Sequence, residues 1–393
     1  MSTPTSRNRI GIVAALAVAG ATLITACSSS SAGSAKAPVQ APVPLPTGLI
    51  DVDQSFGLGT PTKLPGDFPL KASAPKGKHV CFVENGNEYT EKFERGVRAA
   101  VKPLGWQLTI IQANQSVASS YGTAITSSLQ ARCDGVIQPS ALYANYEAQL
   151  PAAIKAGMIV EDANTANQVG QGVIQVVTAN QVQWFEGVAT ANFVLKDIKT
   201  RHPKGDILIQ DVLVPQFASV MKPIHDGFAH QIARFCHRCS IKTVRDDLSV
   251  LTGSNPSAPW VAAVQKNPDT DYIVPAGFTD NGTVAALEQA GLKVPTIVGT
   301  GPLAPQIKDM QSSKPDSLAW TAEDFEVNGW FMVDGLVRYW AKESNVNPWG
   351  TLPGMEWVIT PDNVGPFMKQ KQNFPPNYAQ LFEAMWKTPA ATS

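Results

Sequence analysis

From Lys78 onward, short apolar runs alternate with segments in which apolar residues recur every three or four positions. Val80-Cys81-Phe82-Val83 is the first run; Phe93, Val97 and Val101 then recur at every fourth position, and Gly105 closes that segment. The unbroken run suits a strand buried on both faces, and the fourfold recurrence suits one buried stripe of a helix. The alternation continues through Leu108-Thr109-Ile110-Ile111, a helix around Tyr121–Ala131, the strand Gly135-Val136-Ile137, a helix around Tyr146–Ala156 and the strand Met158-Ile159-Val160.

After about residue 183 the pattern repeats. Helical spacing over Phe185–Leu195 and Phe228–Phe235 flanks the strand Ile207-Leu208-Ile209, and Ile241–Val244 follows. Trp260–Val264 leads to the strand Tyr272-Ile273-Val274, Thr283–Ala290 leads to Thr296-Ile297-Val298, and a longer helix is expected over Val327–Trp340. Regular alternation of strands and helices predicts parallel sheets covered on both faces. Two such sets, over about three hundred residues, predict two α/β lobes rather than one core.

The amino terminus breaks this pattern. Arg7 and Arg9 precede an apolar run from about Ile10 to Ile24, which falls short of the roughly 20 residues that span a bilayer. A charged start, a short apolar middle and a small-residue exit describe a secretory signal. The exit reads Ile24-Thr25-Ala26-Cys27 and resembles a bacterial lipobox, in which the cysteine is diacylated and becomes the first residue. Two acyl chains suffice for stable anchoring. Residues 28 to about 75 are rich in Ser, Ala and Pro without apolar period, so they are expected to form an unfolded tether.

A formal charge of −1 and the lack of any basic stretch disfavour a nucleic-acid partner. Of the cysteines beyond Cys27, Cys236 and Cys239 stand three apart at the end of a helical pattern, which predicts a short structural disulfide in an exported chain. A zinc site would need a second cluster of ligands, and the sequence shows none. Cys81 and Cys133 fall near neighbouring strands, and spacing leaves their pairing open. No Gly-x-Gly-x-x-Gly or Gly-x-x-x-x-Gly-Lys-Ser/Thr motif supports a nucleotide site, and no Gly-x-Ser-x-Gly motif supports a hydrolase.

The order of landmarks is more specific than any one of them. Asp134-Gly135-Val136-Ile137, Ala156-Gly157, Asp226-Gly227-Phe228, Ala285–Gly291 and Val298-Gly299 succeed one another as in the type I periplasmic binding proteins, which the chain resembles over roughly residues 77–365. The likeness is to their ribose- and galactose-binding branch. It implies two Rossmann-like lobes with parallel sheets, joined by three hinge crossovers near Val177–Asn180, Trp320–Phe325 and before Met355. The implied division is 1–26 signal, 27–76 lipidated cysteine and tether, 77–179 with 323–347 as the amino-terminal lobe, 180–322 with 348–370 as the carboxyl-terminal lobe, and 371–393 as an extension.

Family binding positions fall on Asn87 and Tyr89 after the first strand, Gln138 after the third, Asp162 after the fourth and Glu323 at the second crossover. Phe278 and Trp320 lie nearest the implied cleft as aromatic walls. Asn87 alternatively serves only as a helix cap, and Asp162 as a turn cap. Where the family places Arg and amide–acid residues in the second lobe, this sequence has Ile224, Gly277-Phe278 and Gly301, and Ala163 replaces a further Arg. Each buried polar group left unpaired costs roughly 1–3 kcal/mol, so the losses favour a bulkier or less polar ligand over a simple sugar.

The resemblance implies capture of a sugar, polyol or related metabolite, without catalysis or cofactor. It implies an ABC permease as partner, lipid attachment at the outer face of the cytoplasmic membrane, and action as a monomer. The alternatives are a less polar or amine-bearing ligand, a sensor presenting its closed form to a receptor, and an enzyme using Asp162 and Glu323 as a glycosidase-like acid–base pair.

Overall fold

A computed structural model describes residues 62–387 except 166, 179, 213–214, 247–254, 278–281, 313–315, 350–355 and 370–372. Cys27 and the leader lie outside the described residues, as does Phe278. No described helix is long and apolar enough to cross a membrane.

Two sheets organise the chain. In the first, β1 (His79–Glu84), β2 (Gln107–Gln112), β3 (Gly135–Pro139), β4 (Ile159–Ala163) and β5 (Val173–Val177) lie in the order β2-β1-β3-β4-β5, all parallel. The second comprises β6 (Asp206–Val212), β7 (Ser240–Asp246), β8 (Tyr272–Val274), β9 (Thr296–Thr300), β10 (Ser317–Glu323) and β11 (Glu356–Ile359). Its order is β11-β10-β9-β8-β6-β7, with only β11 antiparallel.

Helices cover the sheets as the alternating pattern requires. α1 (Glu88–Leu104), α2 (Ser119–Gln130) and α3 (Leu150–Lys155) belong to the first sheet. α4 (Asn180–Arg201), α5 (Pro215–Phe235), α6 (Ala258–Lys266), α7 (Thr283–Gln289) and α8 (Ala304–Met310) belong to the second. The chain leaves β10 and enters α9 (Phe325–Trp340), which packs on α1 of the first lobe. α10 (Val364–Lys369) and α11 (Tyr378–Trp386) follow β11.

The helix expected over Tyr146–Ala156 is shorter. Two 3-10 turns occupy Tyr143–Asn145 and Glu147–Gln149, and the α-helix starts only at Leu150. Pro151 lacks an amide hydrogen and sits in the first turn of α3, where none is needed. The strand β5 carries no strong turn signal after it and escapes the periodicity reading.

The tether expected to reach residue 76 ends earlier. Leu64 and Leu70 are buried in the core of the first lobe, Leu70 N donates to Met385 O at 2.9 Å, and Trp106 Nε1 donates to Pro75 O at 2.7 Å. The terminal helix α11 is part of the same core, with Trp386 stacked on Trp330 at 5.5 Å between centroids. Asp334, fully buried on α9, joins these pieces. It accepts from Arg338 Nε at 2.6 Å, Trp349 Nε1 at 2.7 Å and Trp386 Nε1 at 2.7 Å. Three donors satisfy one carboxylate that burial would otherwise penalise heavily.

Two disulfides are present. Cys236–Cys239 forms as the spacing predicts. Cys81–Cys133, which spacing left open, is also paired and ties the start of the fold to the turn before β3 across a separation of 52 residues. Closing a loop of that length removes unfolded-state entropy worth up to about 4 kcal/mol.

In the second lobe α4 and α5 cross closely at two glycines. A Cβ at Gly187 would lie 1.9 Å from Ile224 O, and one at Gly227 would lie 2.1 Å from Trp184 O. This crossing fixes how Glu186 and Ile224 stand towards the first lobe.

Candidate functional site

Parallel strands aim their carboxyl ends, and the loops that follow, at one side of each sheet, where ligands bind in open α/β folds. Here those ends face one another across a cavity of about 730 Å3, part of it open to solvent.

The first lobe contributes Asn85, Asn87 and Tyr89 from the turn between β1 and α1, with Gln115 and Tyr121 beside them. Asn87 caps α1: its Oδ1 accepts from Tyr89 N at 2.8 Å, while its Nδ2 donates to Gln115 Oε1 at 3.2 Å. Capping and cavity lining are therefore two jobs of one side chain. Asn85, missed from sequence, is held by Tyr121: its Nδ2 donates to Tyr121 Oη at 3.1 Å, and its Oδ1 accepts from Thr90 Oγ1 at 2.8 Å. Ser140 and Asn164 complete this wall, each just past a strand end and each with positive φ, 61° and 49°. Such backbone costs of order 1–3 kcal/mol for residues with a Cβ and collects at functional sites.

The second lobe contributes an apolar face and few polar groups. Val220, Met221 and Ile224 of α5 line it, with Ala276, Thr300 and Gly301 at strand ends. Ile224 and Gly301 thus occupy the cavity wall where the resemblance puts an Arg and an acid. Gly277 has no room for a side chain, since a Cβ there would lie 1.9 Å from Gly301 O. The backbone of Gly301 takes over part of the lost polarity: its carbonyl accepts from Tyr89 Oη at 2.9 Å, across the cleft. Tyr89 also packs on Phe325 at 5.0 Å.

Two buried carboxylates meet this space. Glu323 lines the cavity at the end of β10, with Oε2 accepting from Asn328 Nδ2 at 3.2 Å. Glu186, on α4, is the second. Burial raises the pKa of both, and the charge of Glu323 raises that of Glu186 further. The Tyr89 hydroxyl is held protonated by burial and by the carboxylates around it. Glu186 was missed although its helix gave a signal: it falls on the buried stripe with Val182 and Ala189, where an acid is out of place.

Three expected residues stand elsewhere. Gln138 and Asp162 are fully buried in β3 and β4, paired in register, and do not line the cavity. Asp162 Oδ2 accepts from Tyr146 Oη at 2.5 Å and Asn167 Nδ2 at 2.8 Å, and burial outweighs these bonds to push its carboxyl up to about 7. It braces the loops behind the wall, so Asp162 and Glu323 do not face one substrate as an acid–base pair. Trp320 is fully buried in the core of the second lobe, with its ring over Gly299. Its side chain points into the sheet packing because alternate residues of β10 face opposite sides.

The sequence matches the family model of the periplasmic binding protein domain over residues 79–344. The chain belongs to the periplasmic binding protein family. Solved structures agree on its fold. GanP, a glucose-galactose binding protein from Geobacillus stearothermophilus, is 19% identical, with a TM-score of 0.60 over 74% of this chain and 99% of its own. An ABC transporter solute binding protein from Agrobacterium vitis with bound allitol is 15% identical, with a TM-score of 0.62 over 75% of this periplasmic binding protein and 99% of its own. A LacI-type transcriptional regulator from Bacteroides fragilis is 14% identical at a TM-score of 0.60, covering 74% and 99%. A search of curated proteins returned no match. As a member of this family, the chain has the architecture of a substrate-binding protein, with two mostly parallel sheets about one cleft.

Proposed function

We propose that this periplasmic binding protein is the solute-binding component of an ABC importer and captures a metabolite of sugar or polyol size by closing its lobes. The observation that carries this reading is the cavity at the facing strand ends, bridged by Tyr89 and Gly301. Asparagine, tyrosine and serine side chains line one wall, and apolar residues of α5 line the other together with Glu186 and Glu323. Sugar- and polyol-binding proteins among the structures of the same fold support the ligand class. The exit Ile24-Thr25-Ala26-Cys27 supports attachment through Cys27 to the outer face of the cytoplasmic membrane, from which a monomer would deliver solute to its permease.

A thermal-shift screen of sugars, polyols, amines and small hydrophobic metabolites tests the capture reading. A ligand at a hundredfold excess over Kd adds about 2.7 kcal/mol of apparent stability. A specific shift that Asn87→Ala diminishes is the expected result; no shift across the whole screen would overturn it. Labelling with an alkyne-bearing fatty acid tests the anchor, with loss of label expected in Cys27→Ser and retention counting against it.

A further inference from the structure

Among the described residues the cavity is lined by two acids and no basic side chain. Glu186 is 5% exposed, and its carboxylate has no hydrogen-bond or ion-pair partner among the described residues. Glu323 is 9% exposed, and its Oε1 is likewise without a partner. Lys92 and Arg95, which share an adjoining recess with Glu323, are already paired with Glu88 at 2.9 Å and Glu326 at 3.6 Å.

A buried carboxylate is costly unless something of opposite charge or a set of donors answers it. A neutral polyol supplies donors but leaves the charge unanswered. A primary ammonium supplies both a charge and three N–H donors. On the opposite wall Asn87 and Ser140 offer partners for hydroxyl groups.

Resting on the solute-binding reading, we infer that the cavity selects an amine-bearing ligand, an amino sugar or amino polyol whose ammonium sits between Glu186 and Glu323. The loss of Arg at the position of Ile224 fits this, since a guanidinium there would repel the ligand and neutralise the pair. Burial, and after it the charge of Glu323, raises the pKa of Glu186, and an ammonium between the two acids would work against that rise.

Matched ligands isolate the nitrogen. Calorimetric titration of the purified protein would compare 1-amino-1-deoxyglucitol with glucitol, and 2-amino-2-deoxyglucose with glucose. The expected result is at least tenfold tighter binding of the amine in one pair, with Glu186→Gln reducing that ratio to near one. Glu323→Gln provides the same readout should Glu186→Gln fold poorly. Equal or tighter binding of the hydroxyl partner overturns the inference and leaves the solute-binding reading intact. Preference for the amine that survives both substitutions overturns the placement of the ammonium. If neither these four nor any compound of the wider screen binds, both readings fall.

Discussion

Tyr89 and Gly301 stand 212 residues apart in sequence and on opposite walls of the cleft, yet the Tyr89 hydroxyl donates to the Gly301 carbonyl at 2.9 Å. The contact joins the first turn of α1 to the end of β9. It exists because Gly277 and Gly301 pack backbone to backbone, leaving the carbonyl free to face the first lobe.

Tyr89→Phe removes that bond and keeps the ring on Phe325. A hydrogen bond of this kind contributes about 0.5–1.5 kcal/mol net, so ligand affinity should fall roughly 2- to 10-fold through a faster off-rate. Stopped-flow dissociation measures it. Unchanged kinetics would show that the contact does not hold the closed form.

The crossing of α4 and α5 sets the second wall. Gly187→Ala places a Cβ against the Ile224 carbonyl, where neither backbone can yield. Overpacking of this sort typically costs about 1–3 kcal/mol. Both a lower unfolding midpoint in urea and weaker binding are expected, because Glu186 and Ile224 move together.

Stability should depend on pH in a direction opposite to ordinary acid denaturation. Burial pushes Asp162 and Asp324 up to about 7 and raises Glu161, Glu186 and Glu323. Unfolded carboxylates titrate near 4. Between about pH 4 and 7 the folded chain therefore holds protons that the unfolded chain releases, and stability is lost as pH rises through that window. The melting temperature of the ligand-free protein is expected to fall from about pH 5 to 7.5, and Asp162→Asn to shrink the slope. A flat or rising profile would count against these protonated acids.

Asp334 gathers Arg338, Trp349 and Trp386. Asp334→Asn leaves the Arg338 charge buried without its counter-ion, a loss of roughly 3–5 kcal/mol. Urea unfolding should show it, with tryptophan fluorescence reporting release of α11 ahead of the main transition.

The alternation of apolar runs and helical stripes determined two α/β lobes, since strand and helix periods are local properties of the chain. The resemblance, and not periodicity, pointed to Asn87, Tyr89 and Glu323, which line the cavity where a parallel sheet presents its loops. Periodicity reports that a position is buried but not what it is buried against. The resemblance and its implied crossover put Asp162 and Trp320 at the cleft, yet both are packed away from it, while Glu186 went unseen on its helix. Residues 64–75 read as tether because their partners, Met385 and Trp386, lie more than three hundred positions along the chain. The sequence alone determined two mostly parallel α/β sheets; only tertiary packing decided which acids share the cavity, because that depends on how distant helices cross.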